Sequence, residues 1–267
     1  MGRSENGTDA CPVGETCGDD EVPEHDVTVS DFYLDEFEVT VGRFRRFVED
    51  FSGPPAQGAG AHPLLPDSGW QTAWNSLLAA TKEELTDSVK CRAKSRTWQD
   101  TPGSTEHHPI NCLDWYAAFA FCVWDGGRLA TEAEWEYAAA GGDENRLYPW
   151  GSAEPTSTLV SYDGCSSNCN LESVLPVGSL PEGAGRWGHK DLAGNIGSWV
   201  LDSFDSSWYR GGGSTCDNCA NLAETPGRTI RGGSFAYFRN DLRAASRSYT
   251  NPSQHSSQFG VRCARTR

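Results

Sequence analysis

The sequence is poor in positive charge and has no long apolar run. Its 267 residues include 22 Lys and Arg against 37 Asp and Glu, which gives a formal net charge of −15. Nucleic-acid binders need basic surfaces to neutralise phosphates, so this balance excludes that class of partner. The longest apolar stretch, Trp115–Trp124, is about half of the roughly 20 residues that a membrane-spanning helix requires. We therefore expect no nucleic-acid partner and no membrane span.

Signature motifs of several enzyme classes are also missing. The chain has no G-x-S-x-G nucleophile elbow, no P-loop and no H-E-x-x-H zinc motif. Asp19, Asp20 and Glu21 are adjacent on a polar segment, so they lack the fixed separation of a glycosidase carboxylate pair. This pattern predicts a solvated acidic loop.

Apolar spacing and capping residues predict two main helices and a shorter third one. They cover 40–51, 114–125 and 132–140. A strand-like alternation covers 26–35, and frequent turn residues after position 150 indicate many short strands. Early helices followed by short strands are typical of the α+β class. The Gly- and Pro-rich stretch at about 52–110 is predicted to be an insertion within one domain, 1–267.

Ten cysteines are many for a chain kept in a reducing compartment. Their even count and close spacing predict disulfides, and hence a secreted, periplasmic or cell-surface location. The close pairs are Cys11/Cys17, Cys91/Cys112, Cys165/Cys169 and Cys216/Cys219, which leaves Cys122 and Cys263. Zinc is the alternative for Cys216 and Cys219, although no second ligand pair at the usual spacing accompanies them.

Several motifs resemble the formylglycine-generating-enzyme, or sulfatase-modifying factor, family. They stand at 36–40, 109–111, 127–139, 148–151, 191–195, 231–234 and 259–263. The most specific is GRLATEAEWEYAA at 127–139. The resemblance implies a formylglycine-generating-enzyme-type variant of the C-type-lectin fold, with few helices and many irregular strands. It also implies a Cys122–Cys263 disulfide.

Enzymes of this family oxidise a sulfatase cysteine to formylglycine with copper and oxygen. The resemblance places their two copper-binding thiolates at Tyr237 and Leu242, after the Gly-Gly-Ser motif. Neither side chain is a soft sulfur ligand of the kind that holds Cu(I). We therefore expect no copper and no copper-dependent oxidase activity.

The segment after the Gly-Gly-Ser motif also resembles the variable proteins of diversity-generating retroelements. That resemblance rests on GGSF at 232–235, LRAASR at 242–247 and GVR at 260–262. It implies a binding module for a protein or small-molecule ligand, whose Tyr, Ser, Asn and His side chains form an adaptable surface. The candidate ligand-binding residues are Ala236, Tyr237, Phe238, Asn240, Asp241, Tyr249 and His255.

An enzyme of different chemistry is the alternative function. Its candidate catalytic residues are Ser234, Tyr237, Arg239 and Asp241. A neighbouring arginine is expected to lower the pKa of Tyr237, which would suit the phenol to acid–base work. A composite metal site is a weaker hypothesis, because the fold would have to unite His62, His108 and His255.

The family resemblance also implies a structural calcium ion. Its ligands would be side-chain oxygens at Asp191 and Ser198 and carbonyl oxygens at Gly194 and Ile196. Serine at 198 replaces a family glutamate, which removes a charged ligand and weakens the site. A second family site corresponds to Asp163 and Gly164. The alternative is a plain turn in which Asp191 and Asn195 accept hydrogen bonds from backbone amides.

Overall fold

Four α-helices lie within the residues that the computed structural model describes, 1–7, 9–91, 93–162 and 169–267. They are α1 (Val41–Asp50), α2 (Lys82–Ser88), α3 (Trp115–Trp124) and α4 (Glu132–Ala140). Each follows a residue whose side chain accepts the N–H three positions on: Thr40, Thr81, Asp114 and Thr131. Such caps satisfy a donor that the first turn leaves free. The two predicted main helices and the shorter third helix are confirmed. Short 3₁₀ helices occupy Asp19–Glu21, Thr72–Leu77, Gly142–Glu144, Leu171–Ser173, Pro181–Gly183, Trp208–Arg210 and Arg239–Leu242.

Helix α3 lies at the centre of the core. Its residues from Trp115 to Cys122 are all buried, as expected for a helix that is apolar on every face. Helix α1 packs on it through Phe44 and Phe47, whose ring centroids lie 5.8 and 5.7 Å from that of Phe121. The apolar stripe predicted for the first helix therefore faces the second.

Three small sheets complete the described fold. The first pairs β1 (Val27–Thr28) in parallel with β5 (Cys216–Asp217). The second has the antiparallel order β2-β9-β3, formed by Phe32–Leu34, Cys263–Thr266 and Arg128–Leu129. The third has the order β7-β6-β4-β8, formed by Arg247–Thr250, Arg228–Arg231, Gly197–Ser203 and Phe259–Val261. In it only β4 and β8 run parallel. The predicted α+β class is confirmed.

The predicted strand over 26–35 is two strands that belong to different sheets. β1 and β2 are separated by 29–31, and they pair with β5 and β9. Alternation along one segment does not reveal such a change of partner, because strand pairing is set by distant residues.

The segment 52–110 contributes to the main core. Trp70, Leu85 and Trp98 are 0%, 0% and 4% exposed and belong to the same apolar cluster as α3. A disulfide between Cys91 and Cys112 ties the end of the segment to the residues before α3. The division of the chain into one domain with an insertion stays a prediction.

Four disulfides join described residues, and each was predicted. They are Cys11–Cys17, Cys91–Cys112, Cys122–Cys263 and Cys216–Cys219. The zinc alternative for Cys216 and Cys219 is therefore wrong. The predicted Cys165–Cys169 bridge falls partly outside the described residues, because Cys165 is not among them.

No helix in the described parts of the chain is both long and apolar enough to cross a membrane.

The capping box of α4 generates a stability prediction. Burial alone would raise the pKa of Glu134, but hydrogen bonds from Arg128 and His62 lower it to about 2. Because the folded pKa lies below the unfolded one, Glu134 stabilises the fold above pH 4.5, and this stabilisation is lost as the pH falls towards 2. Glu134→Gln should lower the free energy of unfolding by about 3 kcal/mol at pH 7.

Urea unfolding followed by circular dichroism measures this difference, which should shrink below pH 4.5. Glu144→Gln is the control, because the ion pairs of Glu144 with Arg146 and Arg186 are solvent-exposed and should contribute less than about 1 kcal/mol. Equal losses in the two variants at pH 7 would contradict the prediction.

Candidate functional site

Two glutamates of α4 form buried ion pairs with arginines from distant segments. Glu132 and Glu136 are 1% and 2% exposed. Glu132 accepts two hydrogen bonds from Arg247, of 2.8 and 2.9 Å. Glu136 accepts one from Arg231, whose guanidinium also donates to the carbonyl oxygens of 244–246. We call Glu132, Glu136, Arg231 and Arg247 the Arg–Glu framework. It fixes the segment after the Gly-Gly-Ser motif against α4.

The N-terminal segment also lies on that region. Glu21, only 2% exposed, accepts a 2.7 Å hydrogen bond from Arg243. Glu15 forms a 2.6 Å ion pair with Arg239. The prediction of a solvated acidic loop is therefore wrong at Glu21. The carboxylate is buried because Arg243 compensates its charge.

The four candidate catalytic side chains have separate partners. The hydroxyl of Ser234, which is fully buried, accepts a backbone N–H at 3.3 Å. Arg239 forms ion pairs with two glutamates. Asp241 accepts a backbone N–H at 3.1 Å at the start of its 3₁₀ helix. Among the described residues, no hydrogen bond or ion pair joins the side chains of any two of Ser234, Tyr237, Arg239 and Asp241.

Tyr237 and Leu242 occupy the positions that the resemblance assigns to copper-binding thiolates. Leu242 is 1% exposed and packs in an apolar cluster with Tyr148 and Val160. Tyr237 packs against the main core, and its hydroxyl hydrogen-bonds with Ser248. Burial raises the pKa of Tyr237, so the expectation that an arginine lowers it is wrong.

Phe238 and Tyr249 are the exposed members of the predicted ligand-binding set, at 66% and 58%. The Tyr249 ring stacks on Phe204, with centroids 4.2 Å apart and planes 13° apart. Both rings line a cavity of about 480 Å³, together with Arg247 and Ser248. Ala236, Asn240 and Asp241 are half-buried in the neighbouring turn. We call 236–241, 247–249 and Phe204 together the recognition surface.

His255 makes its described contacts elsewhere. Its Nδ1 lies 2.9 Å from the carbonyl oxygen of Cys112, and its Nε2 lies 3.8 Å from a carboxylate oxygen of Asp114. His62 instead lies 3.5 Å from Glu134. Within the described ranges no group of three or more His, Cys, Asp or Glu side chains could hold a metal. The composite site of His62, His108 and His255 is therefore wrong.

The predicted calcium loop is a buried turn. Asp191 accepts the N–H of Gly178 at 2.6 Å, and Asn195 accepts that of Leu175 at 3.0 Å. The Ser198 side chain is buried on β4. Gly194 has φ of +73°, a conformation that favours glycine. Both side-chain contacts of the plain-turn alternative are present, and the calcium ion stays a prediction. Asp163 and Gly164, the candidate second site, lie outside the described residues.

The Arg–Glu framework and Phe204 are the parts of this site that the sequence analysis missed. One usable signal is present: Glu132 and Glu136 stand four residues apart, on one face of a helix whose other side chains are mostly apolar. Acids in a buried helix need cationic partners. Nothing in the sequence pairs Phe204 with Tyr249, 45 positions further along the chain.

The chain is similar in sequence to one protein family and to relatives that include a kinase and an enzyme. The family described as sulfatase-modifying factor enzyme 1-like domain matches residues 1–267. The chain is 32% identical over 248 residues to serine/threonine-protein kinase Pkn1 of Chlamydia trachomatis, covering 92% of this chain and 35% of that protein. It is 30% identical over 270 residues to the formylglycine-generating enzyme of Streptomyces coelicolor, covering 92% and 82%. The chain thus spans about a third of the kinase and most of the enzyme.

Two solved structures have the same fold. PvdO from Pseudomonas aeruginosa aligns over 100% of this chain and 90% of its own, with a TM-score of 0.68 and 23% identity. Treponema denticola variable protein 1 aligns over 90% and 86%, with a TM-score of 0.59 and 19% identity. At these identities the likeness concerns the fold alone.

The buried Glu21–Arg243 pair predicts how the N-terminal segment is held. Glu21→Gln leaves the Arg243 guanidinium buried without its counter-charge, which should cost about 3–5 kcal/mol. We expect faster cleavage within 1–26 during limited proteolysis, measured by mass spectrometry. Glu154→Gln removes an exposed partner of Arg239 and should leave the cleavage rate unchanged. Cleavage of Glu21→Gln at the wild-type rate would show that this pair does not hold the segment.

Proposed function

This chain belongs to the sulfatase-modifying factor enzyme 1-like family, and from that premise we propose that it is an extracytoplasmic binding module. It recognises a protein or small-molecule ligand through the recognition surface. It does not act as a copper-dependent formylglycine-generating oxidase. The four disulfides between described residues support an oxidising location.

The residues at the two thiolate positions carry this proposal. A low-coordinate Cu(I) site needs soft sulfur ligands, and these positions hold Tyr237 and Leu242. Among the described residues no cysteine is free. Leu242 is part of an apolar cluster and Tyr237 is hydrogen-bonded to Ser248, so both positions that the resemblance assigns to copper ligands hold side chains unsuited to copper.

The chemistry of the recognition surface supports binding. Phe238 and Tyr249 are highly exposed aromatic side chains, and Arg239, next to Phe238 in sequence, forms ion pairs with two glutamates. Aromatic residues and arginine dominate the energetics of protein interfaces. Tyrosine also gives a large contact area at a low cost in conformational entropy. Diversification of this segment, as in variable proteins, is a finer hypothesis within the same proposal.

The proposed lack of copper-dependent oxidase activity can be tested directly. The purified chain, supplied with Cu(I), oxygen and a sulfatase-derived cysteine peptide, should produce no formylglycine above the level without protein. Mass spectrometry detects the 18 Da loss on conversion of the thiol to the aldehyde. The Streptomyces coelicolor relative is the positive control. Turnover by this chain would overturn the proposal.

The binding arm is tested with arrays of immobilised peptides and small molecules. We expect saturable binding to at least one array member, weakened at least about tenfold by Phe238→Ser and by Tyr249→Ser. Leu64→Ser is the matched control, since Leu64 is a 54% exposed apolar residue outside the recognition surface. Binding that is unaffected by both surface variants would contradict the assignment of the site.

We also propose that a calcium ion binds beside the 191–198 loop. Burial and the charge of Asp191 raise the pKa of Glu38 well above its usual range, while the charge of Arg262 opposes this shift. Two carboxyl groups therefore interact at this buried loop, where a calcium ion would favour their ionised forms. Asp191 would supply a carboxylate oxygen, and the ion would stabilise the turn. Hard oxygen ligands of this kind suit calcium.

Chelation tests the calcium proposal. Because an ion that binds only the folded state raises its stability, EDTA should lower the melting temperature by at least about 3 °C and calcium should restore it. Asp191→Asn can still accept the Gly178 N–H but loses the charge, so it should abolish this sensitivity. A wild-type melting temperature that EDTA leaves unchanged favours the plain turn.

A further inference from the structure

A second cavity, about 390 Å³ in volume, lies between β2, α4 and the loop at Trp187. We call it the aromatic pocket, because Phe32, Tyr33, Tyr137 and Trp187 are among its lining residues. Its volume falls within the usual range of small-molecule sites. It shares no lining residue with the recognition surface.

The pocket gathers aromatic rings that remain open to solvent. Tyr33, Tyr137 and Trp187 are 58%, 39% and 45% exposed. Single exposed apolar residues are normal on a protein surface, whereas a cluster around one concavity is typical of a binding site. The three rings therefore suggest a ligand with an apolar face.

The Trp187 ring is held in place before any ligand arrives. It stacks on Tyr137, with centroids 4.9 Å apart and planes 12° apart. The guanidinium of Arg186 lies 5.3 Å from its centroid. A Cβ atom at Gly142 would lie 3.1 Å from Tyr137 and 3.3 Å from Trp187, so glycine there lets the backbone approach both rings. A pre-positioned ring loses little entropy on binding.

The charges around the pocket are already compensated. Asp31 pairs with Arg267 at 2.5 Å, and Arg186 pairs with Glu144 at 3.2 Å. Burial and the charge of Arg262 lower the pKa of His189 to about 4, so its imidazole is neutral at pH 7. A cationic ligand would meet the guanidinium of Arg267, and an anion would meet the carboxylate of Asp31. An uncharged ligand fits this balance.

We propose that the aromatic pocket binds one ring of a neutral saccharide. A pyranose has an apolar C–H face that can pack against the exposed parts of Tyr33 and Trp187, and a rim of hydroxyl groups. Asp31 can accept hydrogen bonds from hydroxyls, and Arg267 can donate to them. A wholly apolar ligand would leave these rim groups unused. This inference is independent of the proposed recognition surface.

Saturation-transfer NMR and calorimetry on the whole chain test the proposal. The probes are glucose, galactose, mannose and N-acetylglucosamine with their disaccharides, and choline serves as the cationic comparison. We expect at least one saccharide to bind with Kd of about 1 mM. Trp187→Ala should weaken binding at least about tenfold, and Leu64→Ala, which changes an exposed apolar residue elsewhere, should leave it unchanged.

Several outcomes would overturn the proposal. They are the absence of binding by every saccharide, binding of choline instead, and saccharide binding that survives Trp187→Ala. Loss of saccharide binding in Tyr249→Ala with retention in Trp187→Ala would assign it to the recognition surface. If Trp187→Ala fails to fold, as judged by circular dichroism, Tyr33→Ala replaces it, because that ring is 58% exposed.

Discussion

Paired burial of ionised side chains is the constraint on which the rest of this structure depends. Glu132 and Glu136 can be buried because they form ion pairs with Arg247 and Arg231, respectively. Removing either partner would strand a charge at a cost of about 3–5 kcal/mol. Since Arg231 also binds three carbonyl oxygens of 244–246, one network joins α4, β6 and the approach to β7. The recognition surface thus has a stiff base, which lowers the ordering cost of binding.

The parts of the fold that local chemistry determines could be predicted from the sequence. Helices α1, α3 and α4 begin at capping side chains and carry apolar residues at the expected positions. The close cysteine pairs among described residues are bridged as their spacing indicates. Family motifs supplied the longer Cys122–Cys263 link. Each of these features depends on neighbours in sequence or on a recognisable motif.

The features that could not be predicted depend on contacts between distant segments. The acidic run at 19–21 gives no indication that Glu21 meets Arg243, more than two hundred residues away. Tyr237 was expected to be polarised by an arginine, but packing against the core governs its pKa. The Tyr249–Phe204 stack joins β7 to the loop after β4. The motifs were enough to locate the candidate site in the sequence. The contacts that determine its chemistry join distant segments and could be identified only from the folded structure.

The position of β9 has a consequence for how the chain acquires its structure. β9 follows every other described strand in sequence, yet it is the middle strand of its sheet, between β2 and β3. During synthesis, the backbone N–H and C=O groups with which β2 and β3 bind β9 therefore stay unpaired until residues 263–266 leave the ribosome. The Cys122–Cys263 bridge is subject to the same delay. Until β9 has been made, the unpaired edges of β2 and β3 leave nascent chains of this protein open to pairing with one another.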